Sequence, residues 1–181
     1  LIKDNVILTI HDKNITRFVK LSRYAGTIFK KIPKKTITKD KIAHLLIRII
    51  EENNERNFDG LRVIQEQGEV VSRFLVEPTP KSKELGKNIY KMKSALLTYL
   101  ESLWASLDVI QYLRYGDPDQ LTDNPKILQQ IGLLGSDLTM QISISEQMST
   151  VLASGLEVLQ SIYNNQLQIL NNRMAFIVAW L

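Results

Sequence analysis

Leu156-Glu-Val-Leu-Gln-Ser-Ile-Tyr-Asn-Asn-Gln-Leu-Gln-Ile-Leu-Asn-Asn-Arg-Met-Ala-Phe-Ile-Val-Ala-Trp-Leu181 closes the chain and decides how the rest is read. Apolar residues recur here at three- and four-residue steps, and the same step reaches back through Leu152 and Met148 to Leu138. That is the period of a helix with a buried seam, and no proline interrupts it. At about 1.5 Å per residue the helix from Leu138 onward exceeds roughly 60 Å, so it must project or bundle with other helices. From Met174 to Leu181 no residue is charged, and Trp180 is a type favoured at membrane interfaces. Eight apolar residues fall short of the ~20 needed to cross a bilayer. Yet a seam that becomes apolar on every face only at its end is expected of a helix entering a membrane.

Working back from that helix, Asn124-Pro125 reads as an N-cap followed by proline at the first helical position. Gly132 and Gly135 are tolerated weak points, or a joint between two helices. Lys83 to Tyr115 carries a second stripe, including Ile89, Met92, Leu96, Leu97, Leu100, Leu103, Trp104, Leu107 and Ile110, with Ser82 as its cap. A third helix is expected from Thr38, an N-cap with Asp40 in the first turn, to Val76. Pro78 and Pro80 stop it, because neither can continue a helix. Within it, Glu51 to Asn57 reads as a solvated patch. The short link at the prolines makes these two helices an antiparallel hairpin. Upstream, Asn5 to Thr9 suits a strand and Ile15 to Phe18 a second, with a short helix between Thr16 and Lys30. Two strands make a marginal sheet, so earlier strands upstream of the chain, or another chain, are expected to complete it.

Composition agrees with a mainly helical chain. Of 181 residues 44% are hydrophobic, with five prolines and eight glycines. The absence of cysteine removes disulfides and thiolate metal sites. His11 and His44 lack the spacing of a nucleophilic or zinc site, and no glycine-rich phosphate loop occurs, so an enzyme is not expected. The net charge of +4 concentrates in a basic block from Lys20 to Lys41. With only Tyr24 and Phe29 to stack, that block reads as a solvated connector rather than a nucleic-acid surface. The chain starts at Leu1 without a visible signal peptide, so preceding sequence is expected.

Asn5-Val-Ile-Leu-Thr-Ile-His11, Asp40-Lys-Ile-Ala-His-Leu-Leu46, Ile89-Tyr-Lys-Met-Lys-Ser-Ala-Leu-Leu97 and Ser161-Ile-Tyr-Asn-Asn165 leading to Asn171-Asn172-Arg173-Met174 together resemble the CorA-type divalent-cation channels. The resemblance implies a predominantly α, α+β fold: residues 1–37 as the end of a cytoplasmic sheet domain with its basic connector, 38–116 as a helical hairpin, and 117–181 as a loop and long stalk helix. It further implies a homo-oligomer, a pentamer in the full protein, held at the cell membrane by helices beyond Leu181, with this portion on the cytoplasmic side sensing cation and gating the pore. The family's Gly-Met-Asn signature would also lie beyond Leu181.

Magnesium, or cobalt or another divalent cation, would be both cargo and regulator, without an organic cofactor. The resemblance puts an inter-protomer metal carboxylate at Asp137, which also sits where a helix-start acid is ordinary. Asn171, Asn172, Met174 and Val178 are pore-lining candidates, amides above apolar rings. The competing expectation is a helical scaffold or adaptor that binds a partner helix without ion chemistry.

Overall fold

The computed structural model describes residues 2–3, 6–8, 23, 25–27, 29–33, 36–76, 82–115 and 121–180. Three long helices dominate: α1 (Thr38–Val76), α2 (Ser82–Tyr115) and α3 (Pro125–Trp180). Strands β1 (Ile2–Lys3) and β2 (Val6–Ile7) pair antiparallel, with Ile2 opposite Ile7 and Lys3 opposite Val6. The predominantly helical α+β class is therefore the observed one.

Helix bounds follow local chemistry. The amide of Lys41 donates to the Ile37 carbonyl at 3.2 Å, which puts Ile37, not Thr38, at the N-cap of α1. Before α3, the Asn124 carbonyl accepts from Ile127 and Leu128, both at 3.0 Å, and its side-chain oxygen accepts from the Lys126 amide at 3.1 Å. Pro125 at the first helical position has no N–H to leave unsatisfied. α3 then runs unbroken for 56 residues, so Gly132 and Gly135 form no joint.

The sheet departs from expectation. β2 lies within the expected Asn5–Thr9 strand, and it pairs with β1, a strand at Ile2–Lys3 that the sequence pattern did not mark. The expected strand at 15–18 lies outside the described residues, as do His11, the prolines at 78 and 80, and the turn at 116–119. Residues 25–27 and 29–31 are helical, in keeping with a short helix in the connector.

The chain divides into two compact units. The first holds Leu1–Gly60 and Ser102–Ile142, and so the start of α1, the end of α2 and the start of α3. Ile42, Ile47, Leu103, Ile110, Ile131 and Leu138 are among its buried side chains. Gly135 lies against this core, where a Cβ would meet Ile110 Cγ2 at 3.4 Å. Gly132 accepts the Arg114 guanidinium across its bare face, and that guanidinium also stands 4.7 Å above the Tyr115 ring.

The second unit holds Leu61–Glu101 and Ser143–Leu181. Its core joins Leu61, Val71 and Phe74 of α1, Ile89 and Leu96 of α2, and Leu152 and Leu159 of α3. Each fully buried aliphatic side chain of this kind contributes about 1.5–3 kcal/mol. Gly155 faces this core with no room for a side chain: a Cβ there would stand 2.6 Å from Val71 Cγ1 and 3.2 Å from Ile89 Cδ1.

Tyr99 packs against that core, and burial pushes its hydroxyl up to about 12. The unfolded chain loses this proton near the ordinary value of 10, so between about pH 10 and 12 the folded state binds more protons. Stability from this group is fully present below pH 10 and is lost as pH rises through 12. The expected result is a fall in melting temperature across that window that is steeper in the parent than in Tyr99→Phe, read by circular dichroism. Equal slopes would remove Tyr99 as the cause.

Two stripes need correction. Leu97 and Trp104, expected in the α2 seam, are each 49% exposed, because the core-facing line runs through Ile89, Leu96, Leu103 and Ile110, one residue earlier at each heptad. In α1, Asn54 does not belong to a solvated patch. It falls on the seven-residue line joining Ile47 and Leu61 and is only 4% exposed.

Candidate functional site

The best-built polar cluster ties α1 to the entry of α3. Asp40, 8% exposed, accepts the Thr122 hydroxyl on Oδ1 and the Asn124 amide nitrogen on Oδ2 at 3.2 Å. Thr122 Oγ1 in turn accepts the Asn124 backbone amide at 2.9 Å. Each carboxylate oxygen thus has a donor, and the Asn124 cap is fixed by its contact with Asp40. Sequence reasoning found Asp40 only as a first-turn acid. This is a structural lock, since both carboxylate oxygens are already engaged with protein donors.

A second buried polar contact lies in the same unit. Gln141, fully buried, donates from Nε2 to the Asn54 backbone oxygen at 3.3 Å, while Asn54 Nδ2 is buried without a hydrogen-bond partner among the described residues. An unmatched amide in an apolar core costs about 1–3 kcal/mol.

The expected ion-handling residues all lie on α3. Asp137 is exposed, one residue before the buried Leu138. Among the described residues no group of three or more His, Cys, Asp or Glu gathers to hold a metal ion.

Farther along, the seam changes character. Leu152 and Leu159 are buried and Ile162 half-buried, but every residue from Tyr163 to Trp180 is exposed. Leu167, Leu170, Met174 and Ile177, expected to continue the seam, therefore have their apolar faces bare. Successive residues turn by about 100°, so Asn171, Met174 and Val178 share one face. Asn172 instead lines a shallow open hollow with Ile169, Arg173, Phe176 and Ile177. Phe176 and Trp180 make a tilted ring pair with centroids 6.3 Å apart. Among the described residues no helix is long and apolar enough to cross a membrane.

The family model for the CorA-like Mg2+ transporter protein matches residues 1–181. The chain belongs to that family. No curated protein and no solved structure matches this CorA-like chain. Membership bears out the resemblance read from the strand, hairpin and long helix, and connects the chain with a transporter family rather than an enzyme family. The long CorA-like helix is thus observed, and its polar candidates Asp137, Asn171 and Asn172 are all exposed on it.

Proposed function

We propose that this chain is the cation-regulated helical part of a Mg²⁺ transporter, in which copies of α3 surround the ion path. One observation carries the reading: α3 leaves its own core after Ile162 and continues for five turns with exposed apolar and amide side chains. Water penalises bare apolar surface by about 25 cal/mol per Å², so such a face calls for neighbours. In a symmetric ring, Asn171 would offer amides to the water shell of the passing cation, and Met174 and Val178 below it would close the path by dewetting. Asp137 carboxylates of adjacent protomers would share a hydrated Mg²⁺ and repel one another when it leaves, moving the helices. The assembly is then a homo-oligomer, a pentamer by family resemblance, at the cell membrane with this part in the cytoplasm. Magnesium or a related divalent ion serves as cargo and regulator.

The test has two arms. Millimolar MgCl₂ is expected to raise the melting temperature more than NaCl of equal ionic strength, because a ligand of the folded assembly stabilises it by mass action. Asp137→Ala should remove the difference. In the complete protein, single cysteines at Asn171, Met174 and Val178 are expected to cross-link between protomers, and one at Phe176 is not. Identical shifts by both salts would sink the sensing role. Uniform reactivity at all four positions without cross-linking would take α3 off the ion path and leave the adaptor expectation in its place.

A further inference from the structure

Over residues 158–181 the chain carries one charged side chain, Arg173. It stands where α3 passes from the amide-rich stretch 164–172 into the uncharged run that begins at Met174. Among the described residues it has no ion-pair partner. Its companions in the open hollow are Asn172 at its own level, Ile169 one turn before, and Phe176 and Ile177 one turn beyond. Trp180, tilted against Phe176, extends the same side by a further turn. This side lies away from the residues assigned to the ion path. Two residues turn a helix by about 200°, so Arg173 lies about 160° round from Asn171, and Phe176 about 160° from both Met174 and Val178.

From this arrangement we infer that the outer side of α3 holds the phosphate of an anionic phospholipid, with Arg173 as its cationic anchor. The inference rests on the transport reading and names what the side turned from the path meets. With Asn171, Met174 and Val178 towards the path, Arg173 and Phe176 point outward at the level where the helix becomes apolar. Electrostatics favours the same orientation. A ring of guanidinium groups turned inward would repel a divalent cation, whereas turned outward they meet negatively charged headgroups. The order of chemistry along the helix is that of an amphiphile. The guanidinium offers paired N–H donors in a plane, the geometry that two phosphate oxygens accept, and Asn172 can donate beside it. One and two turns further on, Phe176, Ile177 and Trp180 give apolar and aromatic surface to the upper part of an acyl chain. One basic side chain near an anionic surface is worth about fivefold in affinity, so the site enriches acidic lipid around α3 rather than holding one molecule tightly.

Trp180 reads the site directly, because it lies seven residues, nearly two turns, beyond Arg173 on the same side of α3. In the Trp104→Phe chain it is the sole tryptophan. Bound to mixed vesicles, Trp180 is expected to be quenched more by brominated phosphatidylglycerol than by brominated phosphatidylcholine at equal mole fraction, with a relative association constant of about five. Arg173→Gln should bring that ratio to unity, and Arg173→Lys should keep part of it. Lys30→Gln combined with Lys31→Gln, in the basic connector, should leave it unchanged, which separates the site from general attraction to acidic vesicles. Equal quenching by the two lipids in the parent would overturn the inference and leave the transport reading standing, since the α3 cross-links test that reading on their own. Vesicle binding with quenching by neither lipid would put protein, not lipid, on this side of α3 and overturn it as well. A chain that binds neither kind of vesicle would count against both the lipid site and a membrane position for the end of α3.

Discussion

Asp40→Ala is expected to lower the unfolding free energy by about 2–4 kcal/mol, the largest effect of any single polar substitution in the chain. The carboxylate holds two donors, the Thr122 hydroxyl and the Asn124 amide, in a site where Asp40 is 8% exposed. Removing it strands the buried Thr122 hydroxyl, turns the half-buried Asn124 amide loose and releases the cap of α3. For a domain of this size the loss corresponds to roughly 5–15 °C in melting temperature. Asp40→Asn should fall between, because its oxygen can still accept from Thr122 while its nitrogen faces another amide nitrogen. Urea unfolding followed by helical circular dichroism measures all three. A change below about 0.5 kcal/mol for Asp40→Ala would mean that water replaces both contacts at no cost.

The second large effect is expected at Gly155. Alanine is a better helix former than glycine by about 1 kcal/mol, so propensity alone favours Gly155→Ala. Packing opposes it: the new Cβ would stand 2.6 Å from Val71 Cγ1. Val71 is fully buried and β-branched, so it can neither swing into solvent nor change rotamer cheaply. Overpacking of this kind costs about 1–3 kcal/mol, and the net result is destabilisation. Val71→Ala in the same chain should recover part of the loss, giving a coupling a double-mutant cycle can read. Gly60→Ala is the control. Among the described residues nothing lies within 4 Å of a Cβ at Gly60, so there the propensity gain is expected alone.

These two positions show where sequence reasoning reached and where it stopped. Helix limits were legible because they are set by neighbours in sequence: Asn124 and Pro125 open α3, and the stripe from Ile42 to Phe74 spans α1. The Asp40 lock was not legible, because its partners lie 82 and 84 residues away. Nothing in a first-turn aspartate distinguishes a solvated acid from one held by a distant threonine. Gly155 was overlooked for a related reason: a glycine inside a helix looks the same whether it faces water or a neighbouring valine. The exposure of Leu97 and Trp104 has another origin. A helix with apolar residues at adjacent heptad positions offers two stripes, and only packing selects which one is covered. The candidate ion-path residues on α3 were found by composition and resemblance, and their neighbours would belong to other copies of the chain.

The long sequence separation within the Asp40 lock also bears on the order of events in folding. Closing a loop of 82 residues costs chain entropy that no local contact repays, whereas α1 and α2 can meet across their short link at much smaller loop cost. The hairpin is therefore expected to form before α3 is fastened, with the lock absent from the transition state. Breaking a late-forming contact leaves the folding rate almost unchanged and accelerates unfolding. In a chevron plot Asp40→Ala should move the unfolding arm and spare the folding arm. Asp40 would then set how long the folded chain survives, rather than how quickly it is made.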